Sequence, residues 1–141
     1  MEKLLASFER QFNFNNSVSD LELAETQEKL NVTFPSELTG LLNKTNGITD
    51  DYGFNIVWSA KKILDQNLSF RNDEEFKELY MPFDNLLFFG EEANGDLYAF
   101  VVLEDKINRS DIFIWEHETD SRNWFASNLE KYLEKRLNEI S

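Results

Sequence analysis

The sequence contains no cysteine, only two prolines and five glycines, and it is short of positive charge. Without cysteine there is no disulfide, no thiol nucleophile and no thiolate zinc site, and the composition suits a reducing cytosol. Only 14 Lys and Arg face 27 Asp and Glu, which gives a formal net charge of -13. Because phosphate backbones are bound by Lys and Arg, this balance argues against direct binding of nucleic acid.

Long hydrophobic runs are missing as well. The stretch 1–12 spaces charges among its apolar residues, unlike a signal peptide, and no run approaches membrane-spanning length. We therefore expect a cytoplasmic protein. The chain does hold 41% hydrophobic residues and 13 Phe, which is enough to form a core despite the charge. With no repeat and no shift in composition, it predicts a single domain over residues 1–141.

The N-terminal part is patterned as helices. A first short helix is predicted by apolar residues at helical spacing, namely Leu4, Leu5, Phe8 and Phe12. Ser19 to Glu22 match a capping box, which places a second helix at about residues 20–30. Pro35 suits the first turn of a third helix, and Asn46-Gly47 ends it.

The middle of the chain contains both strand and helix patterns. Residues 52–58 are rich in aromatic and β-branched types and predict the first strand. Ser59 can cap the helix that follows, and Asp73 lies at the start of another, with Phe76 and Leu79 on its apolar side.

The C-terminal part of the chain begins with the patterns of β-strands. Apolar runs at 86–89 and 97–103 flank Asn94-Gly95, which predicts a tight hairpin, and 111–118 predicts a third strand. From Phe125 to Ile140 the apolar residues recur every three or four positions, which predicts a long amphipathic C-terminal helix. Helices, then an antiparallel meander, then a helix indicate an α+β fold with a mostly antiparallel sheet.

Several short motifs follow one another in order along most of the chain. The first group consists of Leu21, Ala24, Glu25 and Leu30, then residues 34–38, then Leu41-Leu42 and Asn46-Gly47. The second group consists of residues 86–90, 95–100, 115–118 and 125–133. In this order and spacing the motifs resemble the SUKH superfamily, which holds bacterial toxin-immunity proteins and fungal cell-wall assembly regulators. One departure is Glu116, where the resemblance leads us to expect Asp.

The resemblance implies an α+β fold, a cytosolic protein and the neutralisation of a toxin domain by direct binding. It implies no cofactor, no metal and no catalytic residue, and it supplies no binding residues. The fungal members suggest an alternative, a non-enzymatic regulatory or scaffolding protein without a toxin partner.

The segment from Asp84 to Asp120, here called the acidic segment, is the candidate docking region. It holds ten acidic residues against Lys106 and Arg109, a net charge of -8. On charge alone this segment is either a solubilising surface or a docking field, and the resemblance favours docking. A basic partner such as a nuclease toxin domain would be drawn to this field. The candidate partner-binding acids, of which the first two are expected in an exposed turn, are Glu91, Glu92, Glu104, Asp105, Glu116 and Glu118. Two aromatic candidates expected to be exposed are Tyr80 and Trp124.

Catalytic patterns are weak. His117 is the only histidine, and strand alternation places it with Phe113 and Trp115, away from Glu116 and Glu118. We therefore predict a structural or hydrogen-bonding histidine, because one strand cannot aim these groups at one metal. The sequence has no nucleophile elbow, P-loop or H-E-x-x-H motif. An enzyme that uses paired carboxylates stays open as a third possibility, since acids are abundant.

Two further residues have structural interpretations. Trp115 lies in the strongest strand pattern and is predicted to be buried in the sheet core. Asp50-Asp51 lacks the spacing of a calcium loop and is interpreted as a solvated, turn-forming pair.

Overall fold

Six helices and two separate antiparallel sheets make up the part of the chain that the computed structural model describes, residues 2–8 and 12–140. The helices are α1 Glu2–Phe8, α2 Asp20–Leu30, α3 Ser36–Lys44, α4 Ala60–Asn72, α5 Glu74–Leu79 and α6 Leu129–Ile140. The strands are β1 Asn13–Phe14, β2 Ile48–Thr49, β3 Asn55–Val57, β4 Leu86–Glu91, β5 Leu97–Val101, β6 Ile112–Glu116 and β7 Ser121–Ala126. The predicted α+β class is confirmed. Within the described residues no helix is both long and apolar enough to cross a membrane.

Side-chain caps start three of the helices where the sequence predicts them. Ser19 Oγ accepts a hydrogen bond from the Glu22 N–H (3.1 Å) at the start of α2, and Ser59 Oγ accepts one from the Lys62 N–H (3.2 Å) at the start of α4. The Asp73 carboxylate caps α5 in the same way. These bonds satisfy N–H groups that a helix start leaves unpaired. Pro35 precedes α3 instead of lying in its first turn, so that detail of the prediction is wrong.

The small sheet has the strand order β1-β2-β3 and is only partly visible in the sequence. The strand predicted at 52–58 is confined to β3, because Asp50 Oδ1 accepts hydrogen bonds from the backbone N–H groups of Tyr52 (2.9 Å) and Phe54 (3.0 Å) and holds a turn there. Asp50 thus forms the predicted turn, but the expectation that it is solvated is wrong, because its side chain is buried and bound to these backbone groups. The sequence predicts that the first helix extends to Phe12. Helix α1 is described as far as Phe8, and residues 9–11, between it and Phe12, are outside the described residues.

The large sheet has the order β4-β5-β6-β7, with every pair antiparallel. The predicted hairpin joins β4 to β5, and Gly95 takes the positive φ of 98° that its turn requires. The prediction of a helix beginning at Phe125 is wrong, because residues 121–126 pair with β6 as the edge strand β7. Trp124 therefore lies on a strand and not near a helix start.

The large sheet is covered on both faces. On one face α6 packs through Tyr132 against Phe89 and Tyr98, with ring centroids 4.9 Å apart in both pairs. On the other face six rings form what we call the aromatic cluster: Phe70, Phe76, Tyr80, Phe83, Phe88 and Trp115. Trp115 is only 3% exposed, which confirms its predicted burial.

The small sheet and the large sheet meet beside Gly90. The backbone N–H of Trp58 donates to the Phe89 carbonyl (2.7 Å), and Tyr132 Oη donates to the Ile56 carbonyl (2.6 Å). Helix α6 thereby contacts both sheets, and Gly90 leaves the room that this close approach needs.

Candidate protein-binding surface

Glu91 is held by internal bonds. Its carboxylate accepts hydrogen bonds from Trp58 Nε1 (2.7 Å), Lys62 Nζ (2.9 Å) and the Asn55 N–H (3.3 Å), and its side chain is 18% exposed. Burial alone would raise the pKa of the Glu91 carboxyl, but the bonds from Lys62 and Trp58 outweigh burial and hold the pKa below its ordinary value. The expectation that Glu91 is an exposed turn residue is wrong.

Glu92 serves the core in a similar way. Its carboxylate accepts a hydrogen bond from Tyr98 Oη and lies 3.3 Å from Nε of Arg136, an almost fully buried cation on α6. Arg136 also donates to Tyr132 Oη (2.6 Å) and to the Glu91 carbonyl (2.8 Å). Glu92 thus neutralises a buried charge. Reversing the charges of Glu91 and Glu92 would therefore break this network.

Glu104 and Asp105 form the exposed tip of a two-residue turn. Leu103 and Lys106 exchange backbone hydrogen bonds of 2.8 and 3.0 Å across it. Glu104 and Asp105 have positive φ angles of 52° and 64°. In such turns these two positions are usually occupied by Asn-Gly. Both side chains point away from the core and are exposed. They are available to a partner, as the docking hypothesis requires.

A shallow groove separates this turn from the C-terminal end of α2. Besides Glu104 and Asp105, its lining residues are Gln27, Glu28, Asn31, Val32, Thr33 and Lys106. Beside it, Arg71 donates to the carbonyls of Leu30 (3.4 Å) and Leu86 (3.2 Å). Burial lowers the pKa of Arg71, and the charges of Asp84 and Asp105 offset part of that effect. Arg71 lies beside the groove and lines a second concavity.

The second concavity is a cavity of about 180 Å³ that we call the α5 pocket. Its walls are four rings of the aromatic cluster, Phe70, Phe76, Tyr80 and Phe83. The remaining lining residues are Arg71, Lys77, Met81, Pro82 and Asp84. No residue of this pocket except Tyr80 was selected from the sequence as a contact. The available signal was the density of aromatic residues between Phe70 and Phe83.

The two aromatic candidates differ in their surroundings. Tyr80 is half-buried, since Oη donates to the His117 carbonyl (3.1 Å) and the ring lies 5.2 Å from that of Trp115. The expectation of an exposed Tyr80 is therefore wrong, although its ring still lines the α5 pocket. Trp124 is 54% exposed, as expected, with Lys135 Nζ 5.1 Å from its ring centroid.

The remaining two acids flank His117. Glu116 is half-buried and accepts hydrogen bonds from the Ser121 hydroxyl and from Asn123 Nδ2 (3.3 Å), whereas Glu118 is exposed. His117 Nδ1 lies 2.6 Å from Asp96 Oδ1, which confirms the predicted hydrogen-bonding histidine. Over the described residues, no three His, Cys, Asp or Glu side chains are grouped so that they could hold a metal ion.

Comparison with known proteins gives one match. The SUKH_6 family, described as SMI1-KNR4 cell-wall, matches residues 20–133. This range runs from the first residue of α2 into α6 and includes the whole large sheet, the α5 pocket and the Glu104-Asp105 turn. No curated protein matches the sequence.

Proposed function

Because this chain belongs to the SUKH_6 family of the SUKH superfamily, we propose that it is an immunity protein that neutralises a toxin by binding it. SUKH proteins are generally non-enzymatic immunity proteins. The family match over residues 20–133 is the observation that carries the proposal.

The proposed partner is a basic toxin domain, and a nuclease fits this description. A nuclease holds phosphate groups with Lys and Arg, so an acidic inhibitor can occupy the same field. Of the acidic segment, Asp84, Glu104, Asp105 and Glu118 are exposed. Glu91 and Glu92 are left out of the proposed surface because their carboxylates hold Lys62 and Arg136.

The proposed docking region combines the groove, the Glu104-Asp105 turn and the α5 pocket. Charge complementarity there would accelerate the encounter with a basic partner, and desolvated apolar contacts would supply most of the affinity. Trp124 lies on β7 with its ring beside Lys135 of α6, and Glu116 on β6 is bound by side chains of β7, so the proposed docking region does not extend to them.

The test uses a reading frame beside this gene in the native host that encodes a secreted toxin. Its C-terminal domain is produced in a test bacterium with and without this chain, and the two purified proteins are titrated. We expect restored growth and inhibition that is complete at a fixed stoichiometric ratio. A substoichiometric amount of this chain that inactivates all the toxin would instead indicate an enzyme. Unrestored growth together with no complex by calorimetry would refute the proposal.

The second candidate function is a regulatory or scaffolding role without a toxin. The description of the matched family as cell-wall favours it. Deleting the gene would then change the sensitivity of the host to cell-wall stress in a strain that carries no toxin. An immunity protein predicts no such change in that strain.

A further inference from the structure

We propose that the α5 pocket receives one large apolar side chain, phenylalanine-like or leucine-like, from a basic segment of the partner. The inference rests on the proposed function and specifies the contact that anchors the partner. It concerns the cavity between the end of α4, helix α5 and residues 80–84.

The size and lining of the pocket fit one side chain. Its volume is about 180 Å³, and a cavity of about 150 Å³ lined by apolar groups takes up a benzene ring. Among its walls, Phe76 and Tyr80 are at 72° and Phe70 and Phe83 at 88°. These wall rings meet edge to face, the arrangement that aromatic groups prefer and that a guest ring would extend.

The wall formed by residues 80–85 is held in place before any partner arrives. Arg122 on β7 donates to the carbonyls of Met81 (2.9 Å) and Pro82 (3.0 Å) and to Asn85 Oδ1 (3.1 Å). Asp120 Oδ2 accepts from the Met81 N–H (2.9 Å), and the Asn85 carbonyl accepts from the Val102 N–H (2.8 Å). A pocket fixed in this way loses less conformational entropy when it is filled.

Apolar side chains are also exposed at this site. Met81 on the rim is 59% exposed, and Leu79, expected on the apolar side of α5, is instead 70% exposed. Leu79 does not line the pocket, so only Met81, on the rim of an open aromatic cavity, extends the apolar surface of the site.

The charges around the pocket decide the chemistry of the guest. The charged residues that line the pocket are Arg71, Lys77 and Asp84, and residues 70–84 as a whole contain five acids against the same two cations. Lys77 pairs with Glu74 at 3.3 Å on the exposed surface, and Arg71 donates to two backbone carbonyls, so the segment as a whole stays negative. An apolar side chain flanked by Lys or Arg complements this negatively charged segment. A second copy of this chain, with a charge of -13, does not.

The experiment titrates the isotopically labelled protein with three blocked tripeptides and follows its backbone amide NMR signals. The probe is Lys-Phe-Lys, and the controls are Lys-Ala-Lys, which lacks the ring, and Glu-Phe-Glu, which reverses the charge. We expect saturable shifts around Phe76, Tyr80 and Met81 with Lys-Phe-Lys, and at least threefold weaker binding of both controls.

Two matched variants locate the binding. Met81→Lys adds a positive charge at the rim, and its backbone bonds to Asp120 and Arg122 can persist because they use main-chain atoms. Leu79→Lys adds the same charge on an exposed residue that does not line the pocket. We expect Met81→Lys to weaken Lys-Phe-Lys binding at least threefold more than Leu79→Lys does.

Equal shifts with Lys-Phe-Lys and Lys-Ala-Lys, or equal effects of the two variants, would overturn the inference. The unchanged remainder of each spectrum shows that the variants are folded. The tripeptides require no toxin, so the two proposals fail separately: a toxin bound without use of the pocket contradicts only the anchor, and pocket binding without a toxin contradicts only the immunity role.

Discussion

At the scale of single residues, Gly90 is the position with the least tolerance for a side chain. A Cβ atom there would overlap the Ile56 carbonyl oxygen and the Tyr132 hydroxyl, whereas a Cβ on Gly40 in α3 would meet nothing within 4 Å. We predict that Gly90→Ala lowers the free energy of unfolding by about 2 kcal/mol or more through overpacking. Gly40→Ala should raise it by about 0.5 to 1 kcal/mol, since alanine favours the helix. Urea denaturation of both variants tests this, and equal effects would contradict it.

The two tryptophans Trp115 and Trp124 form a second matched pair, at 3% and 54% exposure. Trp115 contacts four of the other five rings of the aromatic cluster, and Nε1 donates to Asp120 Oδ1 (2.7 Å). We predict that Trp115→Ala costs about 3 to 5 kcal/mol, the usual range for a buried large aromatic. Trp124→Ala should cost less than about 1 kcal/mol. A loss below 1 kcal/mol for Trp115→Ala in denaturant melts would show that the ring carries little of the core energy.

Asp96 gives the stability a dependence on pH. Burial alone would raise the pKa of Asp96, but hydrogen bonds from the ring and backbone of His117 and from Asn94 outweigh burial and lower the pKa. The ionised form therefore stabilises the fold above the ordinary pKa of about 3.9, and this contribution is lost as the pH falls through the folded-state pKa. We predict that the stability difference between wild type and Asp96→Asn is largest near neutral pH and shrinks below about pH 4. Urea melts between pH 3 and pH 7 measure it; a constant difference would contradict the prediction.

Residue-level reasoning from the sequence succeeded where the determinant is local. Alternation along one strand was enough to predict the burial of Trp115, and the turn role of Asp50 follows from its near neighbours. The same reasoning failed for Glu91, because Trp58 Nε1 reaches its carboxylate from 33 positions away. No local pattern indicates that an acid in a turn will be bound by a distant residue.

At the scale of elements, Asn67 on α4 takes the place of a neighbouring strand beside β4. Its side-chain amide accepts from the Phe88 N–H (2.9 Å) and donates to the Phe88 carbonyl (2.9 Å). We predict that Asn67→Ala costs about 2 to 4 kcal/mol, because both backbone groups become buried without partners. The loss should occur even though alanine is the better helix former.

The control is Ser69→Ala, an exposed position of the same helix, which should change the stability by less than about 0.5 kcal/mol. Hydrogen exchange provides a local measurement, and the Phe88 amide should exchange faster in Asn67→Ala. Unchanged protection of that amide would mean that another group satisfies the β4 edge.

Helices with side-chain caps were predictable, whereas strand β7 and the two-residue strands β1 and β2 were not. The bounds of α2 follow from Ser19 and the apolar spacing, both of which are encoded locally. In strand β7 buried and exposed residues do not alternate regularly, because its pairing with β6 shifts register between Ile112 and Phe113. Strands β1 and β2 are only two residues long, which is too short to show any period.

At the scale of the whole molecule, the net charge of -13 should govern how fast a basic partner binds. We predict that the association rate falls steeply with salt, since screening shortens the reach of the field, while dissociation changes less. Glu104→Lys with Asp105→Lys should slow association more than Glu134→Lys with Glu139→Lys. Both pairs change the net charge by the same amount, but the second lies on α6, across the large sheet from the α5 pocket.

Stopped-flow mixing with the cognate toxin across a salt series measures these rates, and thermal melts control for folding. Equal slowing by the two pairs would mean that only the total charge matters. A rate that does not depend on salt would remove electrostatic steering altogether.

The class of the fold was predictable from the order of its elements, whereas the division into two sheets was not. Helical and strand periods can be recognised in windows of a few residues. The choice of which strands pair depends on residues that are far apart in sequence, as in the junction between β3 and β4 near Trp58 and Phe89.

The hydrogen bond from Tyr132 to the Ile56 carbonyl also has a consequence for the order of events during folding. It joins residues 76 positions apart, whereas the β4–β5 hairpin closes over a few residues. Closing a long loop costs more entropy than closing a short one, so the meander should form first and the joint between the sheets last. On the ribosome, that joint must wait until α6 has emerged. Until then the chain holds a formed meander whose α6 face is uncovered, and this intermediate is the one most exposed to aggregation and proteolysis.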